Sequence, residues 1–146
     1  MSYKCRHFAI EELTPPGFQN WSLLDDRILE TLDEIHDRLS EKYEHLAMEV
    51  NTWKKGGKFK YRGWRPKDCA TGSQNSFHKR GMAADFDAYH LVGGVKTRID
   101  PDEVRAHIVD LKLRQGSLEH LGGLETGVNW VHVDSRPYPG LLQFSS

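Results

Sequence analysis

Two short stretches of alternating side chains constrain this chain more than any other feature. Residues 83 to 89 read Ala-Ala-Asp-Phe-Asp-Ala-Tyr, and residues 129 to 134 read Asn-Trp-Val-His-Val-Asp. Successive side chains of a strand point to opposite faces. The first stretch, read as a strand, therefore sets Asp85 and Asp87 on one face. The second sets Trp130, His132 and Asp134 on one face and turns Val131 and Val133 toward a core. If the two strands are neighbours, Asp85 and His132 meet across the sheet surface.

The rest of the chain supplies what such a sheet packs against. Leu24, Ile28, Leu32, Ile35 and Leu39 recur at three- and four-residue steps with charges between them. That spacing gives an amphipathic helix from Ser22 to about Tyr43, with Ser22 as cap and Asp25 and Asp26 in its first turn. Asp100-Pro101-Asp102-Glu103 opens a second helix running to about Leu113 and ending near Gly116, with Glu103 placed to complete a capping box. Residues 47 to 53 read as a third strand, and Gly56-Gly57 and Gly93-Gly94 as turns. Residues 58 to 66 alternate basic and aromatic side chains, 67 to 77 form a polar loop, and residues 1 to 20 form an arm docked on the core. The expected fold class is α+β, a small mostly antiparallel sheet with packed helices, in one domain spanning 1–146.

Composition narrows the function. The chain has 146 residues, enough for one core without staples, and its 20 basic and 21 acidic residues leave a formal net charge of -1. That balance argues against a nucleic-acid binder. No apolar run is long enough to cross a bilayer, and no apolar segment follows the basic residues of Met1-Ser2-Tyr3-Lys4-Cys5-Arg6-His7, so neither membrane insertion nor a secretory signal is expected. Cys5 and Cys69 are too few for a disulfide scaffold and read as free thiols. The expectation is a cytoplasmically made monomer.

The chemistry-bearing residues cluster around the two strands. Ser76-Phe-His78-Lys-Arg-Gly81-Met-Ala83-Ala-Asp85 has the skeleton S-x-H-x-x-G-x-A-x-D. A catalytic zinc takes three His, Asp or Glu ligands and keeps a fourth position open for water. His78 at a loop end, Asp85 on one strand and His132 on another meet that need, with Gly81 letting the loop fold back and Ala83 leaving room.

These residues resemble those of the zinc D-alanyl-D-alanine carboxypeptidases, a family that includes vancomycin-resistance dipeptidases, phage endolysins and murein endopeptidases, with the hedgehog signalling domain as a distant structural relative. The S-x-H-x-x-G-x-A-x-D element is that family's signature, and Trp130-Val-His132-Val-Asp134 has the form of its C-terminal element. The resemblance implies a hedgehog/DD-peptidase-like fold, zinc as cofactor, and His78, Asp85 and His132 as its ligands. Arg62-Gly63-Trp64-Arg65-Pro66 is close to the family's S-G-x-R element, with Arg62 in place of the Ser. That implies Arg65 faces the scissile carbonyl. Ser76 is assigned to substrate binding or to holding its own loop. The arm Arg6–Leu13 extends the resemblance over nearly the whole chain.

The implied activity is zinc-dependent hydrolysis of peptidoglycan stem peptides or cross-links, at the cell wall after release or in a phage-associated context. The general base is the open position. Family members place an acid three residues before the last His, where this chain has Asn129, or a His two before it, where it has Trp130. Asp134, as base or as an orienting carboxylate, and Glu125, swinging in from a Gly-rich loop, are the two candidates. Without a base, the chain would be a non-catalytic zinc-binding module in a phage particle or other assembly. Asp87 reads as solvent-facing ahead of a group supporting a ligand, Tyr89 and His90 as structural ahead of cleft-lining, His36 and His107 as structural or surface, and Trp53, Trp64 and Trp130 as cleft walls or core.

Overall fold

The computed structural model describes residues 3–72 and 76–145. Positions 1, 2 and 146 lie outside the described residues, as do 73–75 of the expected polar loop. The first helix, α1 (Asp26–Ser40), starts three residues later than Ser22 as cap would set it. Asn20 accepts from the Ser22 backbone N–H and holds Trp21–Leu23 in a separate short 3-10 turn. Asp25 then caps α1 by accepting from the Arg27 N–H at 2.8 Å, while its carboxylate also takes the Arg27 guanidinium. The ionised cap wins because its acceptor is charged. Ile28, Leu29, Leu32, Ile35 and Leu39 of α1 are buried as the periodicity requires.

Strand β1 (Ala47–Glu49) is shorter than the expected 47–53. Beyond it the backbone leaves the ladder: Asn51 N–H donates to Glu12 O and Thr52 N–H to Phe59 O. Strand β2 (Ala83–Val92) turns at Gly93-Gly94, both at positive φ, into β3 (Val95–Arg98). Paired positive φ angles make the tight hairpin turn that matches strand twist.

Helix α2 (Pro101–Val109) is capped by Asp100, which accepts from the Asp102 N–H, and continues as a widened turn over Asp110–Arg114. Glu103 does not complete a capping box; it accepts the Tyr43 hydroxyl and so ties α2 to the end of α1. Strands β4 (Gly123–Thr126), β5 (Val131–Asp134) and β6 (Leu142–Ser145) finish the chain.

The protein is thus α+β, with a six-stranded sheet in the order β1-β2-β5-β4-β6 and β3 beside β2. All pairings are antiparallel except β4 with β6. One face carries Met48, Ala84, Phe86, Ala88, Leu124, Val131 and Val133 into a single core cluster with the two helices, Phe8 and Leu13. The other face holds the polar residues of the same strands. Residues 58–66 are not a strand. Their basic and aromatic side chains stack on one another instead, with the Arg62 guanidinium 4.2 Å from the Phe59 ring centre.

Candidate metal centre

Strand register builds the site. Asp85 on β2 lies opposite His132 on β5, which lies opposite Glu125 on β4. Three polar side chains therefore stand in a row on the open face. His78 joins them from the loop before β2. Gly81 makes that approach possible: its φ is +68°, and a Cβ there would sit 2.1 Å from Leu23 O. Its carbonyl accepts the Asp25 N–H, so the same residue links the loop to the cap of α1.

His78, Asp85 and His132 are all buried, and one ligand atom from each lies within 4.8 Å of the other two. His78 Nδ1–H donates to Gly63 O at 2.9 Å. A carbonyl only accepts, so Nδ1 carries a hydrogen, and Nε2 is the nitrogen that faces Asp85 Oδ2, at 3.3 Å. His132 Nδ1 lies 2.7 Å from Asp85 Oδ1, and its Nε2 lies 3.0 Å from Asp134 Oδ2. Two imidazole nitrogens and a carboxylate converge, each imidazole steered by a second acceptor. That donor set fits a divalent transition ion.

The charges follow from this crowding. Burial opposes a charged His132, but the carboxylates of Asp134 and Asp85 override it and raise its pKa to about 9. Burial likewise opposes a charged Asp85, and the bonds from His132 and His78 win, holding it well below the usual carboxylate range. The Asp134 carboxyl is lowered against its burial by Arg136 and His132. Without a cation, His132 is thus an imidazolium between two carboxylates, and cation binding must displace its proton.

Asp134 is fully enclosed. Arg136 Nε donates to its Oδ1 at 2.7 Å and Arg136 Nη2 to its Oδ2 at 2.6 Å. Gly123 leaves the space for this pair, since a Cβ there would lie 2.4 Å from Asp134 Oδ1. Glu125 sits within β4, not in a mobile loop, and no described residue donates a hydrogen bond to its carboxylate. Arg65 reaches the site, its Nη2 3.6 Å from Asp85 Oδ2 and its Nε bonded to Tyr61 O. The Ser76 hydroxyl accepts the His78 N–H at 3.2 Å and so holds its own loop.

Comparison with family models, with curated proteins and with solved structures returns no match.

A cleft of about 490 Å³ opens over Asp85, lined by Phe59, Arg62, Asp87, Arg98, Asn129 and Trp130. Trp130 is among its walls and exposed, whereas Trp53 donates to Thr14 O and Trp64 packs on Phe18. Asp87 is not solvent-facing: Arg62 Nη1 bonds it at 3.0 Å and Arg98 Nη2 at 2.6 Å. Arg98 also bonds Asn129, and Arg105 bonds the carbonyls of Val128 and Trp130, which fixes the cleft's far lip.

Sequence reasoning missed Arg62, Arg98, Arg105 and Arg136 in these roles. Arg136 alone had a legible signal, two residues beyond Asp134. A second grouping, His7, His36 and Asp37, lies on the outer side of α1. There the His7 and His36 rings stack 3.9 Å apart, and Arg6 already neutralises Asp37 at 2.6 Å. Tyr43 contacts His90 and His107 edge to face, and Cys5 and Cys69 are free thiols.

Proposed function

We propose that this protein is a zinc-dependent peptidase of the D-alanyl-D-alanine carboxypeptidase type, with a hedgehog/DD-peptidase-like fold, acting on peptidoglycan stem peptides or their cross-links. The observation that carries the reading is the convergence of His78, Asp85 and His132, with Asp85 lining an open cleft, in the signature pattern that suggested it. His78, Asp85 and His132 would hold a zinc ion, which would supply Lewis acidity toward a peptide carbonyl and a water nucleophile.

The chain's own residues have separable tasks in this reading. Gly63 O and Asp134 orient the two imidazoles. Arg65 places a positive charge beside Asp85, where an oxyanion would develop. Asp134 is an orienting group and not the proton acceptor: it is sealed from solvent, and its oxygens are committed to Arg136 and His132. Asp87 is a poor base because two guanidiniums hold it ionised. Glu125 is left as the proton acceptor, adjacent to His132 on the open face. Ser76 first holds the His78 loop, with any substrate contact following from that placement.

One observation favours the non-catalytic module. Asn129, where family members carry an acid, is bonded through its side chain to Arg98 at 3.0 Å. The deciding experiment is incubation of zinc-loaded protein with cell walls of several peptide chemotypes, with and without chelator. Chelator-sensitive release of peptide or new amino termini supports the peptidase. No release from any wall, with zinc bound, leaves the module reading. If release occurs, Glu125→Gln is expected to lower its rate at least about 100-fold.

A further inference from the structure

The cleft over Asp85 has Phe59 and Asp87 among its walls. Phe59 and Asp87 also wall a second hollow of about 610 Å³, so the two hollows are neighbours. The floor of the second is the same open sheet face, with Tyr89 from β2 and Glu49 from β1. Its outer wall is the 52–59 turn.

The acids lining this hollow are already engaged. Glu49 pairs with Lys96 at 2.6 Å, and Glu11 with Lys54 at 3.7 Å. Glu12 accepts the Ala9 N–H at 2.8 Å, and Asp87 is held by Arg62 and Arg98. The lining acids and lysines balance in formal charge, and the lysines left without an acidic partner sit on the 52–59 turn. Lys55 and Lys58 both line the hollow and have no acidic partner among the described residues, and the Lys58 ammonium lies over the Phe59 ring. Asn51 adds a second, independent feature. It lines the hollow at 5 % exposure, its Oδ1 accepts the Arg62 N–H, and its Nδ2 is a buried donor without a partner. Two unpaired ammoniums, an aromatic wall and an unused amide donor complement an extended, acceptor-rich chain that carries a carboxylate.

We infer that this hollow is a substrate subsite for a carboxylate-bearing peptide segment remote from the scissile bond. Lys55 and Lys58 receive the carboxylate, and Asn51 serves a backbone carbonyl. This rests on the peptidase reading and deepens it, because it makes the preferred substrate longer than a bare dipeptide and acidic.

The test is binding to the metal-free protein, which needs no turnover. The probes are the pentapeptide L-Ala-γ-D-Glu-L-Lys-D-Ala-D-Ala, the same peptide with the Glu α-carboxylate amidated, and D-Ala-D-Ala. The free-carboxylate pentapeptide should bind about tenfold tighter than the amidated one, as expected for two partly screened ion pairs. NMR shifts should centre on Asn51 and Tyr89. Lys55→Glu/Lys58→Glu should abolish the preference while still binding zinc. Equal affinity of the two pentapeptides, no binding of either, or a preference that survives the double substitution overturns the subsite. If zinc binds normally, such a result sinks the subsite alone. Failure of wild-type protein to bind zinc sinks the peptidase reading instead.

Discussion

At His132 two carboxylates compete for one imidazole, and their different surroundings divide the work. Asp85 faces the cleft and shares its open side with His78. Asp134 is sealed behind the ring and clamped by Arg136. Removing Asp134 should therefore weaken metal binding without removing a ligand. Asp134→Asn is expected to lower zinc affinity 10- to 100-fold, the usual cost of losing a ligand's hydrogen-bond partner, measured by competition with a chromophoric chelator. Gly123→Ala should act the same way from across the sheet, because its Cβ would collide with the Asp134 carboxylate. An unchanged affinity in both variants would mean Asp134 does not orient His132.

Among the elements, α1 shows what local sequence decides and what it does not. Its buried stripe was readable from spacing alone, and Leu32→Ala at its centre should cost about 2–5 kcal/mol in denaturant unfolding. Its start was not readable: Ser22 has the side chain of a cap, and the Asn20 turn and the Arg27 contact, which spacing does not show, move the cap to Asp25. Asp25→Ala should cost about 1 kcal/mol. Arg27 holds the Asp25 carboxyl below its usual value. That stabilisation is present above the unfolded carboxylate pKa of about 3.9 and is lost as pH falls through the lower folded value. The stability gap between wild type and Asp25→Asn should therefore be flat near neutrality and close in acid. The strands divide similarly. Alternation showed 83–89, which continues to Val92, and the 131–134 part of 129–134, with Asn129 and Trp130 in a bend before β5, and with them the Asp85–His132 row. Val95–Arg98, Gly123–Thr126 and Leu142–Ser145 are defined by the strands they pair with rather than by their own pattern. The arginines around the cleft were illegible because guanidinium placement depends on which loops the sheet brings together.

On the scale of the whole molecule, the sheet separates two jobs: one face is buried against helices, and the other presents the cleft. A cation held by His78, Asp85 and His132 ties the loop before β2 to β2 and β5, so it should stabilise the fold globally. Zinc at 100 times its dissociation constant should add about 2.7 kcal/mol and raise the melting temperature, an increase that chelator reverses. The most direct measurement is equilibrium dialysis of metal-free protein against zinc, with elemental analysis of wild type, His78→Ala and Asp134→Asn. Wild type is expected to retain one tightly held ion per chain, His78→Ala to lose it, and Asp134→Asn to retain it with lower affinity. No tight ion in wild type, or one held equally well after His78→Ala, would contradict a centre built from His78, Asp85 and His132.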